Sequence, residues 1–322
     1  MRNTITFHEE TNLLDNSFIL DCEKGIERYI SLSKRIYNPE RMKDYRRMAV
    51  FVIRALAKDK KMNDLVSFFR SHPLRSQIAA AHPCIFEQAT RFFFYRAATF
   101  DERLTLIKEH FHILASRLSD AIMRGVYLGN GVTLWRQDYK EEVLSLSLCF
   151  DDGQKKEGLM SVVLKIGEKK IYQAIFWVAP GPHKEPVLWI GALQGAQGEL
   201  DTVRDLTKQF FGYRPKNLVI HALRTIAGQL SLREIYAISN YGFYANNHIR
   251  IDRKLKTSLD DFWQETGGKL NSDLRFFDLP IIEPRKSMEQ IESHKRNLYR
   301  KRFALIDSID EAISEVLRNS SR

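Results

Sequence analysis

The sequence lacks the features that would place it in several large classes of protein. Its three cysteines among 322 residues, Cys22, Cys84 and Cys149, have no CxxC spacing and cannot all pair with one another. No run approaches the roughly 18 apolar residues of a membrane-spanning helix. The acidic N-terminus has no apolar stretch of the kind that a signal peptide needs. We therefore expect a reduced, cytoplasmic protein, with attachment to a membrane surface as the open alternative.

Several catalytic motifs are also missing. The sequence contains no HExxH, no GxSxG and no GxxxxGK[ST], and it has no paired CxxC. Zinc hydrolysis, elbow-serine catalysis and P-loop phosphate chemistry are therefore disfavoured, and we expect no metal site. Neither an internal repeat nor a low-complexity segment is present.

The composition is that of a folded protein with a basic surface. Hydrophobic residues make up 44% of the chain and aromatic residues 11%, which is typical of a globular protein. Lys and Arg outnumber Asp and Glu by 50 to 40, giving a net charge of +10. This excess favours anionic partners such as phosphates or acidic phospholipid headgroups. Nucleic acid ranks last, because no recognisable nucleic-acid-binding motif accompanies the charge.

The hydrophobic pattern predicts helices first and a sheet afterwards. Apolar residues recur at three and four positions from residue 23 to about residue 124, which is helix spacing. Inside this region the aromatic run Phe92–Tyr95 is flanked by arginines, and we predict that it is buried, with an exposed basic-aromatic patch as the alternative. Short β-branched and aromatic runs then predict four strands, of which the first three form an antiparallel meander. These strands are Val143–Phe150, Leu159–Ile166, Lys170–Val178 and Val187–Leu193.

The pattern after the four strands predicts a crossover and a long final helix. A helical stretch ends near Gly212, a second helix begins at Pro215, and Glu234–Ile238 reads as a strand. Strand, helix and strand with short links imply a parallel pair inside an otherwise antiparallel sheet. We predict an α/β (α+β) fold with a helical region over residues 1–125, a sheet-containing core over residues 126–282, and a basic helix packed on that core over residues 283–322, helical from Lys286 to Arg318.

A candidate anion site lies where the second helix begins. Gly212, Arg214 and Lys216 stand at the mouth of this helix, after a strand-rich region. Helix N-termini carry unpaired N–H groups and a partial positive charge, so backbone and side chains together could hold a phosphate there. The alternative is a charged, proline-started cap without a ligand. Spacing alone leaves both interpretations open.

The same segment resembles the acyl-CoA-binding half of GNAT-type acyltransferases. The resemblance covers Tyr213–Leu218 and Leu232–Asn240, and it implies a GNAT-like sheet in which the loop binds the pyrophosphate of acyl-CoA. It also implies that Val187–Gln194 pairs its backbone with the pantetheine arm. Pro215 and Asn217 stand where the family usually has glycines. A helix inserted over Glu199–Phe211 resembles the branch that accepts acyl chains from acyl-carrier protein. The donor-binding residues that we infer are Gln194, Gly195, Gly212, Arg214, Lys216 and Asn217.

A second resemblance covers more of the chain. Ile190–Gly195, Phe211–Lys216, Ser239–Asn240 and Phe262–Trp263 occur in this order and are similar to the VirK/YbjX family of LapB-like bacterial virulence and envelope proteins. Gly267–Gly268, Leu279–Pro280 and Lys295–Arg296 continue that likeness. It implies a role in envelope integrity, antimicrobial-peptide tolerance and virulence, and association with the inner membrane. It names a cellular setting rather than a reaction.

Two functions follow from these interpretations. The first is an acyltransferase that moves an acyl chain from acyl-CoA or acyl-carrier protein to an envelope lipid precursor. His221 and Ser239 are its candidates for proton transfer or polar contact, against the alternatives of a packed histidine and a capping serine. The second is a noncatalytic factor whose basic C-terminal helix binds acidic lipid or a secretion partner. Whether the chain is an enzyme stays open.

Overall fold

The structure, a computed structural model, describes residues 25–247 and 258–319, and these fall into two units, one within residues 1–91 and the other within residues 92–322. The described part of the first unit is helical. Its helices are α1 (Ile26–Ile36), α2 (Met42–Leu56), α3 (Asp59–Arg70), α4 (Pro73–Ala81) and α5 (Cys84–Thr90).

The apolar spacing of the first unit explains its core. In α3 the buried residues are Met62, Leu65, Val66 and Phe69, which lie on one face of a helix because they are three or four positions apart. Helix α4 begins at a proline, whose fixed backbone angle and missing N–H suit the first position of a helix. The helical prediction for this region is confirmed.

The second unit contains the sheet. Helices α6 (Phe100–Ala115) and α7 (Asp120–Tyr127) precede it, and α6 opens with a reciprocal capping box between Thr99 and Glu102. The elements that follow are β1 (Val132–Tyr139), β2 (Glu142–Cys149), β3 (Met160–Ile166), β4 (Lys169–Pro180), β5 (Pro186–Gly195), α8 (Leu200–Gln209), α9 (Pro215–Gln229), β6 (Ile235–Ile238), α10 (Leu259–Glu265), β7 (Lys269–Leu270), β8 (Phe276–Leu279) and α11 (Arg296–Asn319).

The eight strands form one sheet in the order β1-β2-β3-β4-β5-β6-β8-β7. All neighbours are antiparallel except β5 and β6, which run parallel with Leu188 opposite Ile235. The predicted meander and the predicted parallel crossover are therefore confirmed. Together with the long C-terminal helix they confirm the α/β (α+β) fold class with a mixed, mostly antiparallel sheet.

Three strands and one helix boundary differ from the sequence-based expectation. Strands β1, β7 and β8 were not predicted, and β7 has only two residues. Helix α11 begins at Arg296, ten residues after the predicted Lys286. The reason is that Ile291 is buried from a non-helical segment, and its carbonyl accepts a hydrogen bond from the Arg296 side chain. Tertiary packing thus overrides the helical period of this stretch.

Several smaller expectations can be compared with the structure. In the run Phe92–Tyr95, the last three residues are buried as predicted, whereas Phe92 is 49% exposed. Cys84 and Cys149 are buried, and Cys22 lies outside the described residues. No helix within the described ranges combines the length and apolar character needed to cross a membrane. The predicted division of the chain at residues 125 and 282 stays a prediction. In the structure, α6 and α7 belong to the same unit as the sheet.

Candidate functional site

The loop that enters α9 is held in a left-handed turn by the C-terminal helix. Phe211 and Gly212 have φ angles of 54° and 78°, a region that glycine adopts easily and phenylalanine rarely. The guanidinium of Arg302 donates two hydrogen bonds, of 3.0 and 2.7 Å, to the Phe211 carbonyl. Charge-assisted bonds of this kind stabilise the turn. Gly212 therefore shapes the loop, and Arg302 fixes it in place.

The first turn of α9 carries the two predicted cations. Arg214 is the N-cap in extended conformation without a side-chain cap, and Pro215 follows as the first helical residue. The turn contains no acidic residue. The amide of Asn217 bonds to the Arg214 carbonyl, so the Lys216 N–H is the first-turn donor without an acceptor inside the helix. The Asn217 side-chain oxygen is buried without a hydrogen-bond partner.

In the described part of the chain, one carboxylate faces both cations. Glu265, the last residue of α10, has one oxygen 2.5 Å from an Arg214 nitrogen and the other 3.8 Å from the Lys216 amine. The Lys216 amine also lies 4.3 Å from the centre of the Phe262 ring. Burial and then the charge of Arg214 lower the pKa of Lys216, against the attraction of Glu265. The geometry is that of a two-cation cradle holding an anionic group.

Among the described residues, one backbone edge of strand β5 is left without a strand partner beside this cradle. It pairs with β6 only over Leu188–Ile190, although it continues to Gly195, and β6 ends at Ile238. Its other edge stays paired with β4 as far as Gly195, which lies opposite Tyr172. Burial raises the pKa of Tyr172, and the charge of Arg214 opposes this, so Arg214 lies close to the end of β5. Strand β5 therefore extends past the end of β6 on the side of the cradle.

Gln194, one of the predicted site residues, belongs to a polar chain that crosses the sheet. Its side-chain oxygen accepts a 2.9 Å hydrogen bond from Gln173, which in turn accepts one from Gln154. The oxygen of Gln154 accepts a hydrogen bond from Ser161 at 2.5 Å. Gln154 and Ser161 are buried, so this chain satisfies polar groups that would otherwise be costly. Gln194 is thereby oriented at the end of β5.

His221 lies one turn and a half further along α9, in a second and more buried cluster. One ring nitrogen is 3.2 Å from Glu283 and the other 2.7 Å from Asp310. Because carboxylates only accept hydrogen bonds, both contacts are satisfied by the imidazolium form. Tyr213 donates to Glu283 at 2.5 Å, and the guanidinium of Arg224 lies 3.6 Å from the same oxygen. Glu283 thus joins the loop before α9 to the second turn of the helix.

The protonation states of this cluster support one another. Burial disfavours the charged form of His221, but hydrogen bonds to Asp310 and Glu283 outweigh it and raise the pKa of the ring. Burial likewise disfavours both carboxylates, and hydrogen bonds from His221 nonetheless hold the pKa values of Glu283 and Asp310 below their ordinary range. A cavity of about 730 Å³ adjoins the cluster. Within the described ranges, no group of acidic, histidine and cysteine side chains is arranged to hold a metal ion.

The Ser239 hydroxyl holds a turn. It donates to the Leu274 carbonyl at 2.7 Å and accepts from the Gly242 amide at 2.9 Å, and the residue is 1% exposed. These contacts favour the capping interpretation over a reactive hydroxyl. His221, the other candidate, has both ring nitrogens hydrogen-bonded to carboxylates, which agrees with the alternative of a packed histidine.

Sequence reasoning missed most partners of the predicted residues. Glu283 and Asp310 are 62 and 89 positions from His221. The sequence predicts only that the C-terminal helix is basic, and gives no sign that its Arg302 side chain donates to the Phe211 carbonyl. No local spacing marks such pairs. Glu265, which faces Arg214 and Lys216, was not predicted either.

Comparison with known proteins assigns the family. Residues 40–315 match the model of a family described as a protein of unknown function, DUF535. The chain belongs to this family. It is 27% identical to the uncharacterized protein YbjX of Escherichia coli over 70% of each chain, and 26% identical to an uncharacterized protein of Haemophilus influenzae over 65% of this chain and 69% of that one. The resemblance to the VirK/YbjX family is thereby confirmed.

Other comparisons add less. A second uncharacterized protein of Haemophilus influenzae is 31% identical over 40% of this chain and 44% of its own length. No solved structure matches the chain. The GNAT resemblance therefore stays a prediction.

Proposed function

We propose that the protein is an acyltransferase whose donor, acyl-CoA or acyl-carrier protein, binds where β5 extends past the end of β6. In this proposal Arg214 and Lys216 hold the phosphates of the donor at the N-terminus of α9. The acceptor is an envelope lipid or its precursor, as the family resemblance implies. The observation that carries the proposal is the two-cation cradle beside an unpaired strand edge.

The contact with Glu265 supports the phosphate part of the proposal. This carboxylate bridges the two cations, and its side chain is 48% exposed. Exposed ion pairs contribute little to stability and exchange easily for other anions, so Glu265 occupies the place that a phosphate would take. A phosphate carries more charge and more acceptor oxygens than a carboxylate, and it gains from the helix N-terminus as well.

The open edge of β5 supports the pantetheine part. From Gly191 to Gly195 the strand pairs with no other described strand on the side of β6. Unpaired strand edges bind extended chains through backbone hydrogen bonds, and a pantetheine arm is an extended chain with two amides. At Gly191 an added Cβ would lie 1.8 Å from the Glu157 carbonyl oxygen, so a side chain is excluded there. A glycine at this position leaves room for the backbone of Glu157 to approach β5 closely.

Thermal unfolding in the presence of donors tests the proposal. We expect acyl-CoA to raise the melting temperature, and we expect the double variant Arg214→Ala with Lys216→Ala to lose that shift. Inorganic pyrophosphate and pantetheine separate the two halves of the site, since the first needs only the cations and the second only the strand edge.

The matched control is the double variant Arg204→Ala with Lys208→Ala in α8. It removes the same charge from a neighbouring helix, where Arg204 pairs with the exposed Asp201. This variant keeps the shift if the cradle binds the donor. An equal loss in both double variants, or no shift with acyl-CoA or acyl-carrier protein in the parent, contradicts the proposal.

A second function, binding of acidic lipid, is supported by the start of α11. Lys295, Arg296, Arg300 and Lys301 are exposed there, and the apolar Leu298 among them is 41% exposed. Basic residues beside an apolar one suit an anionic bilayer surface. Flotation with phosphatidylglycerol vesicles over a salt series tests it, and binding that ignores salt or occurs equally with neutral vesicles would contradict it.

A further inference from the structure

The cradle is joined to His221 by a short chain of hydrogen bonds. Tyr213 directly precedes the N-cap Arg214, and its hydroxyl donates to Glu283 at 2.5 Å. The same carboxylate oxygen lies 3.2 Å from a ring nitrogen of His221 and 3.6 Å from the guanidinium of Arg224. One oxygen thus contacts the loop before α9 and the second turn of α9. A change at His221 can therefore reach the cradle through two side chains.

Burial makes this chain of contacts hard to replace with water. Tyr213, His221 and Arg224 are all buried. Burial and then the charge of Glu283 raise the pKa of Tyr213 well above its ordinary value, so its hydroxyl stays a donor wherever a histidine titrates. A buried polar group that loses its partner finds no substitute at low cost. The state of one member therefore affects the next.

Two carboxylates from different elements face the imidazole among the described residues. Glu283 comes from the segment before α11, and Asp310 comes from α11 itself. Behind them, Arg224 faces Glu283, and Arg285 lies 3.6 Å from Asp310. Helix α8 and strands β3, β4 and β5 also pack against α9. Within the described ranges, no charged group on those elements contributes to the shift in the pKa of His221.

Loss of the imidazolium proton breaks one of the two contacts. A neutral imidazole has one N–H donor and one acceptor nitrogen, whereas both carboxylates can only accept. The contact with Asp310, 2.7 Å, is the shorter, so we expect the remaining ring proton to stay there. The other nitrogen then faces Glu283 with its lone pair, and the two acceptors repel each other. The cavity of about 730 Å³ is lined by His221 and both carboxylates, and it gives the released proton a path to solvent.

We propose that the protonation state of His221 controls the phosphate affinity of the cradle through Glu283 and Tyr213. In the imidazolium form, Glu283 holds Tyr213 and with it the loop that places Arg214 at the N-terminus of α9. When the ring is neutral, Glu283 turns away from it, and Tyr213 loses its fixed acceptor. This inference rests on the proposed binding of donor phosphates at Arg214 and Lys216, and it adds pH-dependent control to that site. His221 and Tyr213 act as positioning residues, since neither contacts the phosphate.

Isothermal titration calorimetry with inorganic pyrophosphate at about pH 6 and about pH 9 tests the coupling. At the lower pH we expect the parent to bind about fivefold more tightly than His221→Gln, near the lower end of the usual coupling between two sites. At the higher pH we expect equal affinities. The raised pKa of His221 sets this sign, because the charged form is present at low pH and is lost as the pH rises through the folded value. Pyrophosphate and Lys216 titrate in both proteins, so the ratio of affinities at each pH isolates His221.

Tyr213→Phe separates the hydrogen-bond chain from simple attraction by the imidazolium charge. It removes only the hydroxyl that reaches Glu283 and leaves His221 free to titrate. We expect it to bind pyrophosphate as weakly as His221→Gln at the lower pH. A charge that acted through space would leave Tyr213→Phe with the affinity of the parent. The matched control is His112→Gln, which removes an exposed histidine of α6 and keeps the affinity of the parent at both pH values.

The outcomes distinguish this inference from the function on which it rests. A parent that binds no pyrophosphate at either pH contradicts the phosphate site and the coupling together. Pyrophosphate binding with one ratio of parent to His221→Gln at both pH values overturns the coupling alone, and so does a Tyr213→Phe variant that behaves like the parent.

A measurement without His221→Gln decides the question if that variant does not fold. Linkage is reciprocal, so pyrophosphate must raise the pKa of His221 if protonation of His221 strengthens pyrophosphate binding. An NMR titration of the ring protons measures this pKa with and without pyrophosphate. A rise in the parent that is absent in Tyr213→Phe supports the coupling. An unchanged pKa in the parent, or an equal rise in both proteins, overturns it.

Discussion

Helix α9 carries two polar clusters that differ in burial. At its first turn, the side chains of Arg214 and Lys216 are 39% and 26% exposed and share the carboxylate of Glu265. Further along, the side chains of His221 and Arg224 are 9% and 4% exposed. The second pair faces carboxylates that are themselves hydrogen-bonded by Tyr213 and Thr225.

This difference in burial indicates different roles for the two clusters, one in ligand binding and the other in holding the fold. A charge that is buried must keep its partners, because losing one leaves the other without water or counter-charge. A charge at the surface can change partners at little cost. We infer that the His221 cluster fixes the loop and the helix, while the Arg214 and Lys216 pair is available to a ligand. The predictions below test this division.

The largest expected effect comes from removing the buried carboxylate. Glu283→Ala deprives Tyr213, His221 and Arg224 of their common acceptor, so we expect it to lower the free energy of unfolding by about 2–3 kcal/mol. The value is below the range for fully buried pairs because the Glu283 side chain is 24% exposed. Urea unfolding followed by tryptophan fluorescence measures it in the second unit, where all four tryptophans lie.

The matched control is Glu265→Ala, which removes a carboxylate of the same size from the exposed cluster. We expect a loss below about 0.5 kcal/mol, as for other surface ion pairs. If both variants lose the same stability, burial does not distinguish the two clusters and the division fails.

A smaller effect is expected in the pH dependence of stability. The folded pKa of His221 is raised, so its contribution is present below the ordinary pKa of about 6.5 and is lost as the pH rises through the folded value. The folded pKa values of Glu283 and Asp310 are lowered, so their contribution is lost as the pH falls through those values. The cluster therefore stabilises the fold most at mildly acidic pH.

The variant His221→Gln isolates this effect. Its stability deficit relative to the parent is expected to be larger at about pH 6 than at about pH 9, measured by urea unfolding at each pH. Taking the difference between two proteins cancels the titration of the groups that do not interact with His221. A deficit that stays constant or grows towards alkaline pH would show that the imidazolium is not the form that these carboxylates hold.

Much of the sheet could be predicted from the sequence, because local signals determine it. Alternating β-branched residues and turn residues mark β2 to β5, and Pro215 marks the start of α9. Strands β7 and β8 carry weaker signals, since two- and four-residue strands show too little alternation to be recognised. The late start of α11 depends on the burial of Ile291, which is a tertiary fact.

Of the candidate site, only the basic residues Arg214 and Lys216 could be predicted from the sequence. Arg214 and Lys216 lie next to a proline and a glycine, and this local arrangement indicates a helix N-terminus. Their partner Glu265 and the partners of His221 come from α10, from the segment before α11 and from α11 itself. Such contacts depend on how the elements pack, so one sequence without related ones gives no local signal for them.

The smallest expected effect tests whether Glu265 competes with a ligand. Glu265→Gln keeps the shape of the side chain but removes the charge that faces Arg214 and Lys216. We expect inorganic pyrophosphate to bind about two- to fivefold more tightly to this variant, which corresponds to one exposed ion pair. Isothermal titration calorimetry at low ionic strength measures the gain, and added salt should reduce it because the charges are exposed.

The sign of this change distinguishes the two interpretations of the α9 N-terminus. If the cradle binds phosphate, Glu265 is a competitor and its neutralisation strengthens binding. If the cluster is a charged cap without a ligand, neutralising Glu265 leaves pyrophosphate affinity undetectable in both proteins. The neutralisation of Asp201 in α8 is the control, because it also removes a carboxylate from an exposed arginine, Arg204, and should leave pyrophosphate binding unchanged.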